Sequence, residues 1–176
     1  MLRRAQRFGK VRRGRAERTL TRMTHAAPTA APRESGDGHS TCIFCRIASG
    51  AVAASIVFED ELTMAFLDLR QFHPGHVLVI PRRHVSDIRS VDEDTAAAVM
   101  KTVVRTARAV DHAFPSDGLS VWHSAGEGAN QEVPHLHVHV HPRHVGDDVL
   151  AVYPAPPDHP PRETLDDWAE RVRNAL

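Results

Sequence analysis

The pattern of apolar and polar positions divides the chain into short strand-like runs and one long helical stretch. From Ile56, IVFED and MAFLDL read as two short strands, with Glu59–Thr63 as the turn between them. His73-Pro74-Gly75 marks a loop, and VLVIP (Val77–Pro81) reads as a third, largely buried strand ended by Pro81. Ser90-Val91-Asp92-Glu93 has the form of a capping box, with Ser90 at the cap and Glu93 three residues later. Beyond it Ala96, Val99, Val103, Ala107, Val110 and Phe114 recur at helical spacing, which predicts one amphipathic helix over roughly 92–114. Pro115 and Gly118 break it. LSVWHS (Leu119–Ser124) then reads as a strand, and the loop AGEGANQ leads to a last strand in VPHLHVHVHPR. After a Pro-rich linker from Pro154 to Pro161, the spacing of Leu165, Trp168, Val172 and Leu176 predicts a C-terminal helix. The expected class is α+β, a mostly antiparallel sheet with helices on one side.

The last strand carries the strongest chemical signal. His135, His137, His139 and His141 alternate with Leu136, Val138 and Val140. Alternate side chains of a strand point to opposite faces, so the aliphatics form a stripe toward the core and the imidazoles line up on the other face. A helix would scatter the rings and expose the aliphatics. A merely half-exposed strand has no need of histidine, since Thr, Lys or Glu would serve it equally.

Composition sharpens this reading. The 176 residues are one domain's worth, 41% apolar and 25% charged, and thirteen histidines stand against six Phe and one Tyr. No apolar run approaches the roughly eighteen residues of a membrane span. The 22 basic and 22 acidic residues balance, yet residues 1 to 22 hold nine bases and only Glu17. That basic head belongs to an extension over 1–39, which reads as disordered and lacks the apolar stretch of a secretory signal. It resembles a transit peptide, a misassigned start upstream of Met23, or an arm for nucleic acid. The remainder divides into a domain at 40–153 and the linker with its helix at 154–176, in a chain expected in the cytoplasm.

Aligned imidazoles titrate near neutrality, so one can be a neutral nucleophile beside a cationic donor. Attack on phosphorus would give a phosphoramidate; zinc binding is the competing use of clustered histidine. Cys42 and Cys45, spaced C-x-x-C, read as a redox pair, a zinc half-site or two buried thiols.

HLHVHVH fits the H-x-H-x-H signature of the histidine triad (HIT) family, which the chain resembles over roughly residues 40 to 145. CIFCRIASG, FLDLRQFHPGHVLVIPRRH and NQEVPHLHVHVHPR carry the resemblance in the right order. It implies an α+β sheet with one long helix, homodimers, and hydrolysis or transfer at the α-phosphate of nucleotides. His137 would be the nucleophile that becomes adenylylated, His139 would assist the leaving group, His135 would support the site, and His76 would be the distal histidine. Asp68 would bind the ribose hydroxyls of a purine nucleotide, with Ile43, Phe44, Ile47, Phe66, Leu67 and Leu69 around the base. Each of these apolar residues would serve equally well in a core.

The phosphate-binding loop, Ser124 with Asn130, Gln131 and Glu132, departs from the family pattern. Ser124 stands where Asn or Gln is usual, Asn130 where Gly is usual, and Glu132 where Ser or Thr is common. These changes bear on leaving-group preference. Resemblance to bacterial members beginning C-x-x-C implies a structural zinc held by Cys42, Cys45, His84 and His135. It also implies pairing through the long helix, whose Ala97, Ala98, Met100 and Ala109 flank the apolar stripe. His141 reads as a rim residue, and Arg143 and His144 as neighbours of phosphate at the edge. His25, His39, His73, His112, His123 and His159 read as surface residues. Three functions follow: a hydrolase of adenosine 5′-phosphoramidates or dinucleoside polyphosphates, a nucleotidyltransferase moving AMP to phosphate or another acceptor, or a nucleotide-binding module with little turnover.

Overall fold

The computed structural model describes residues 38–149 and 159–176. The basic extension up to residue 37 and most of the Pro-rich linker lie outside the described residues. Five strands, β1 (Ile56–Glu59), β2 (Thr63–Leu67), β3 (Val77–Pro81), β4 (Gly118–Trp122) and β5 (Val138–Arg143), form one antiparallel sheet in the order β1-β2-β3-β5-β4. Asp60 builds the β1–β2 turn: its carboxylate accepts the Leu62 and Thr63 amides at 3.0 and 2.8 Å.

Helices cover both faces of this sheet rather than one. Ala65, Val77, Val79, Val138 and Val140 pack beneath Val99, Val103 and Val110 of α3 (Glu93–Ala113). The alternate residues Met64, Phe66, Leu78 and Ile80 pack against Phe44 and Ile47 of α2 (Ile43–Ala48), which follows the single turn α1 (Gly38–Thr41). A helix of six residues is too short to show a period, so IFCRIA gave no helical signal.

The long helix starts later than its capping box predicts. Asp92, with extended backbone, is the cap, and its carboxylate accepts the Thr95 amide at 2.9 Å. Ser90 turns back to the Asp87 carbonyl at 3.2 Å. Its buried face also includes Thr95, Thr102 and Thr106, and the Thr102 hydroxyl bonds Thr63 of β2 at 2.8 Å. Ala96 and Ala107 are only half-buried, and Phe114 caps the C-terminus with its ring over Gly75. Gly75 has φ +99°, and a Cβ there would sit 2.6 Å from that ring, so glycine is required.

The C-terminal helix α4 (Arg162–Arg173) forms as expected, with Leu165, Trp168 and Val172 exposed. No described helix is long and apolar enough to cross a membrane.

Candidate functional site

The alternating segment enters the sheet only at Val138. His135, Leu136 and His137 lie just before β5, with a bend at His135, anchored by the Leu136 amide on the Val85 carbonyl at 2.6 Å. Their rings do not face water, because Phe44 of α2 lies edge-on to His135 and His137 at 5.8 and 5.3 Å. His137 is 6% exposed. Its Nδ1–H donates to the His135 carbonyl at 2.6 Å, which leaves the lone pair on Nε2. Burial holds its pKa below the ordinary imidazole value, against the opposing pull of that carbonyl. His137 is therefore a neutral imidazole with a fixed tautomer.

His139 lies opposite Trp122 in the β4–β5 register, and the two rings stack 4.3 Å apart at an interplanar angle of 2°. Its Nδ1 lies 2.9 Å from His76 Nε2. His76 Nδ1–H donates to the Arg70 carbonyl at 3.1 Å, so the ring–ring hydrogen bond runs from His139 to His76. Burial, then the neighbouring His137 and His76, push the His139 pKa down to about 3. Asp68, at the end of β2, accepts the Arg70 amide at 2.8 Å and keeps its second oxygen 3.9 Å from His76 Nδ1.

A cavity of about 680 Å³ opens over His137 and His139. Ile43, Phe44 and Ile47 of α2 form one wall, and Phe66, Leu67 and Asp68 another. Leu69 sits at its edge, fully exposed. Ser124, Asn130 and Glu132 line the loop side, and Asn130 adopts the left-handed conformation, φ 58°, that its usual Gly alternative would permit. Gln131 does not line it: its amide braces the loop, accepting the Gly126 amide at 2.7 Å and donating to the Ser86 carbonyl at 2.7 Å. Glu132 pairs bidentately with Arg70 at 3.0 and 2.8 Å, which holds its carboxyl below the usual range.

Five histidine or arginine readings need correction. His73 is not a surface residue but half-buried, with its Nε2 3.2 Å from Asp147 Oδ2. His141 is no rim residue: it is 1% exposed, its ring is 4.6 Å from His76, and its Nδ1 has no hydrogen-bond partner among the described residues. Arg143 and His144 turn to Asp147 and Asp117 rather than to the cavity. His123 is not a surface residue but half-buried, donating from Nδ1 to the His137 carbonyl at 2.8 Å and accepting the Ile88 amide at 3.3 Å. With Trp122 and Arg70 it was missed. The strand register sets Trp122 opposite His139, whereas His123 and Arg70 reach the site through hydrogen bonds to the His137 carbonyl and from His76.

Behind the nucleophile, ligand atoms of Cys42, Cys45, His84 and His135 all lie within 4.8 Å of one another. His135 Nε2–H donates to the Pro81 carbonyl at 2.9 Å, which turns Nδ1 toward the two sulfurs at 3.5 Å. A carbonyl that fixes the tautomer in this way is the usual support of a metal-bound imidazole. Burial, then Cys42, push the Cys45 thiol up to about 12. Two thiolates side by side need a cation, so a set of two sulfurs and two imidazoles fits a tetrahedral metal ion.

Residues 49–146 match the HIT domain family model. The chain is 35% identical over 136 residues to "Protein hit" of Bacillus subtilis (strain 168), covering 77% of this chain and 94% of that one. A histidine triad nucleotide-binding protein from Candida albicans superposes with TM-score 0.70 at 25% identity, over 77% and 97% of the chains. A zinc-bound histidine triad family protein from Mycobacterium smegmatis does so with TM-score 0.59 at 34% identity, over 78% and 99%. With the triad on β5 and its approach, and with a family match across more than half its length, the chain belongs to the histidine triad family.

Proposed function

We propose that this chain is a nucleotide hydrolase acting at the α-phosphate of adenosine 5′-phosphoramidates or dinucleoside polyphosphates. The observation that carries the reading is His137, neutral and with Nε2 unprotonated, beneath a cavity that Asp68 and the α2 apolar wall also line. The base lies against Phe44 and Phe66, and the ribose hydroxyls donate to Asp68. His137 Nε2 forms a bond to the α-phosphorus as the bond from phosphorus to the leaving atom breaks. The leaving atom takes its proton from a water whose other hydrogen is held by the lone pair on His139 Nε2, since the Nδ1–H of His139 is given to His76. Water then attacks phosphorus, the phosphorus–His137 bond breaks, and AMP departs. His123 and the His135 carbonyl keep the nucleophile in place.

Zinc at Cys42, Cys45, His84 and His135 would be structural, since four protein ligands leave no position for water. The zinc-bound M. smegmatis relative supports that identity of the metal.

The test is product analysis with the purified protein, in phosphate buffer and without it. AMP release with a base-stable nucleotide–protein adduct supports the hydrolase. His137→Ala should lower turnover by at least about 10³-fold while nucleotide still binds. An alanine variant with parental turnover overturns the mechanism, and transfer of AMP to phosphate in place of water overturns hydrolysis.

A further inference from the structure

Among the described residues that line the cavity over the triad, Arg70 is the one arginine or lysine, and Asp68 and Glu132 are the two carboxylates. Burial keeps His137 and His139 from adding positive charge, so the cavity is more negative than positive where a phosphate would enter. Its single guanidinium is already engaged. Both oxygens of Glu132 take it as a fork at 3.0 and 2.8 Å, between residues 62 apart in sequence, and Asp68 stands 4.0 Å from its Nε. A phosphate presents the same pair of oxygens to an arginine. The two side chains are 73% and 66% exposed, so no packing locks the pair, and an ion pair in water is easily parted. The backbone of Arg70 is fixed by contrast: its amide donates to Asp68 at 2.8 Å, and its carbonyl accepts from His76 at 3.1 Å. The base of the side chain therefore stays at the cavity while the guanidinium can change partner.

We propose that Arg70 binds the nucleotide phosphate and that Glu132 is its built-in competitor: an arriving phosphate displaces the carboxylate from the guanidinium, and Glu132 swings out to water. The pair is a latch on the cavity, and Glu132 sets how tightly phosphate is held. No covalent bond forms or breaks in this exchange; one charged acceptor replaces another on Arg70. The carboxylate that stands where Ser or Thr is common in the phosphate loop thereby acts on phosphate binding itself. This rests on the reading that a nucleotide enters the cavity, and adds to it the residue that tunes its affinity.

Calorimetry with AMP and adenosine tests it, because adenosine keeps the base and ribose and lacks the phosphate. The readout is the ratio of AMP to adenosine affinity. Glu132→Gln, which keeps size and removes charge, should raise the ratio roughly fivefold, and Glu132→Thr, which also removes the arm, should raise it at least as far. Adding Arg70→Gln to Glu132→Gln should lower the ratio by at least about tenfold relative to Glu132→Gln alone, the loss of a charge-assisted fork to phosphate. A ratio raised by neither Glu132 variant, or unmoved by Arg70→Gln in the Glu132→Gln background, overturns the proposal. Product analysis separates it from the hydrolase reading. The expected ratios, from a parent that releases no AMP from any adenylate, refute hydrolysis and leave the latch standing. Turnover by the parent with flat ratios refutes the latch alone.

Discussion

Asp68 shows how much one side chain can do once its backbone is fixed. It follows β2, its Oδ1 accepts the Arg70 amide at 2.8 Å, and its Oδ2 lies 3.9 Å from His76 Nδ1. A carboxylate in that position accepts from a ribose diol in a way an amide cannot match, because the amide offers one acceptor and brings two donors. Asp68→Asn should weaken AMP binding by about 1–3 kcal/mol, and binding of 2′-deoxy-AMP by clearly less. Calorimetry on both nucleotides decides it; equal losses would place the ribose elsewhere. Of the residues read from the sequence, His137, His139 and Asp68 line the cavity, His76 lies against His139, and His135 sits behind them among the sulfurs. Trp122 and His123 were not legible there, because Trp122 acts by pairing across β4 and β5 and His123 by a side-chain bond to the His137 carbonyl, and nothing local to LSVWHS announces either partner. His141 was misread for a related reason. Alternation fixes which face a side chain takes, but burial of that face depends on what packs over it.

At the scale of elements, α3 is the case where period and packing agree and still leave something over. Its core stripe of Val99, Val103 and Val110 was readable from the spacing, whereas the three threonines that share the buried face were not, since threonine is polar by composition. Met100, Val104 and Ala97 remain exposed on the helix, and Val121 is exposed on β4, a strand at the edge of the sheet. An apolar helix face and an unpaired strand edge together offer a self-complementary surface for a two-fold dimer. We expect sedimentation at micromolar concentration to show a dimer, and Met100→Glu with Val104→Glu to shift it to monomer. Only monomer for the parent would remove the interface. The short helix α2 carries the opposite lesson. Six residues gave no periodic signal, yet they bury Phe44 against the triad and bring Cys45 to the sulfur–imidazole cluster.

For the whole molecule, that cluster ties the start of the domain to its last strand: Cys42 and Cys45 come from the first described turns, His84 follows β3, and His135 precedes β5. Separations of 90 and 93 residues between the cysteines and His135 make it a long-range closure, and metal binding there is folding free energy. His135 sits two residues before His137, but its metal-facing Nδ1 and the carbonyl that positions His137 are different atoms with different tasks. Chelation should therefore lower the melting temperature by several degrees before it alters chemistry at His137. Cys42→Ser should reproduce the loss, and His135→Ala should add a fall in turnover through the displaced backbone. The ligands bind as thiolates and neutral imidazoles, so protons compete with the metal and retention should weaken as pH falls. Metal analysis of protein purified without added zinc gives the decision. About one zinc per chain is expected; a stoichiometry near zero, with stability indifferent to chelator, would return both cysteines to the core and leave His135 the single task of holding His137.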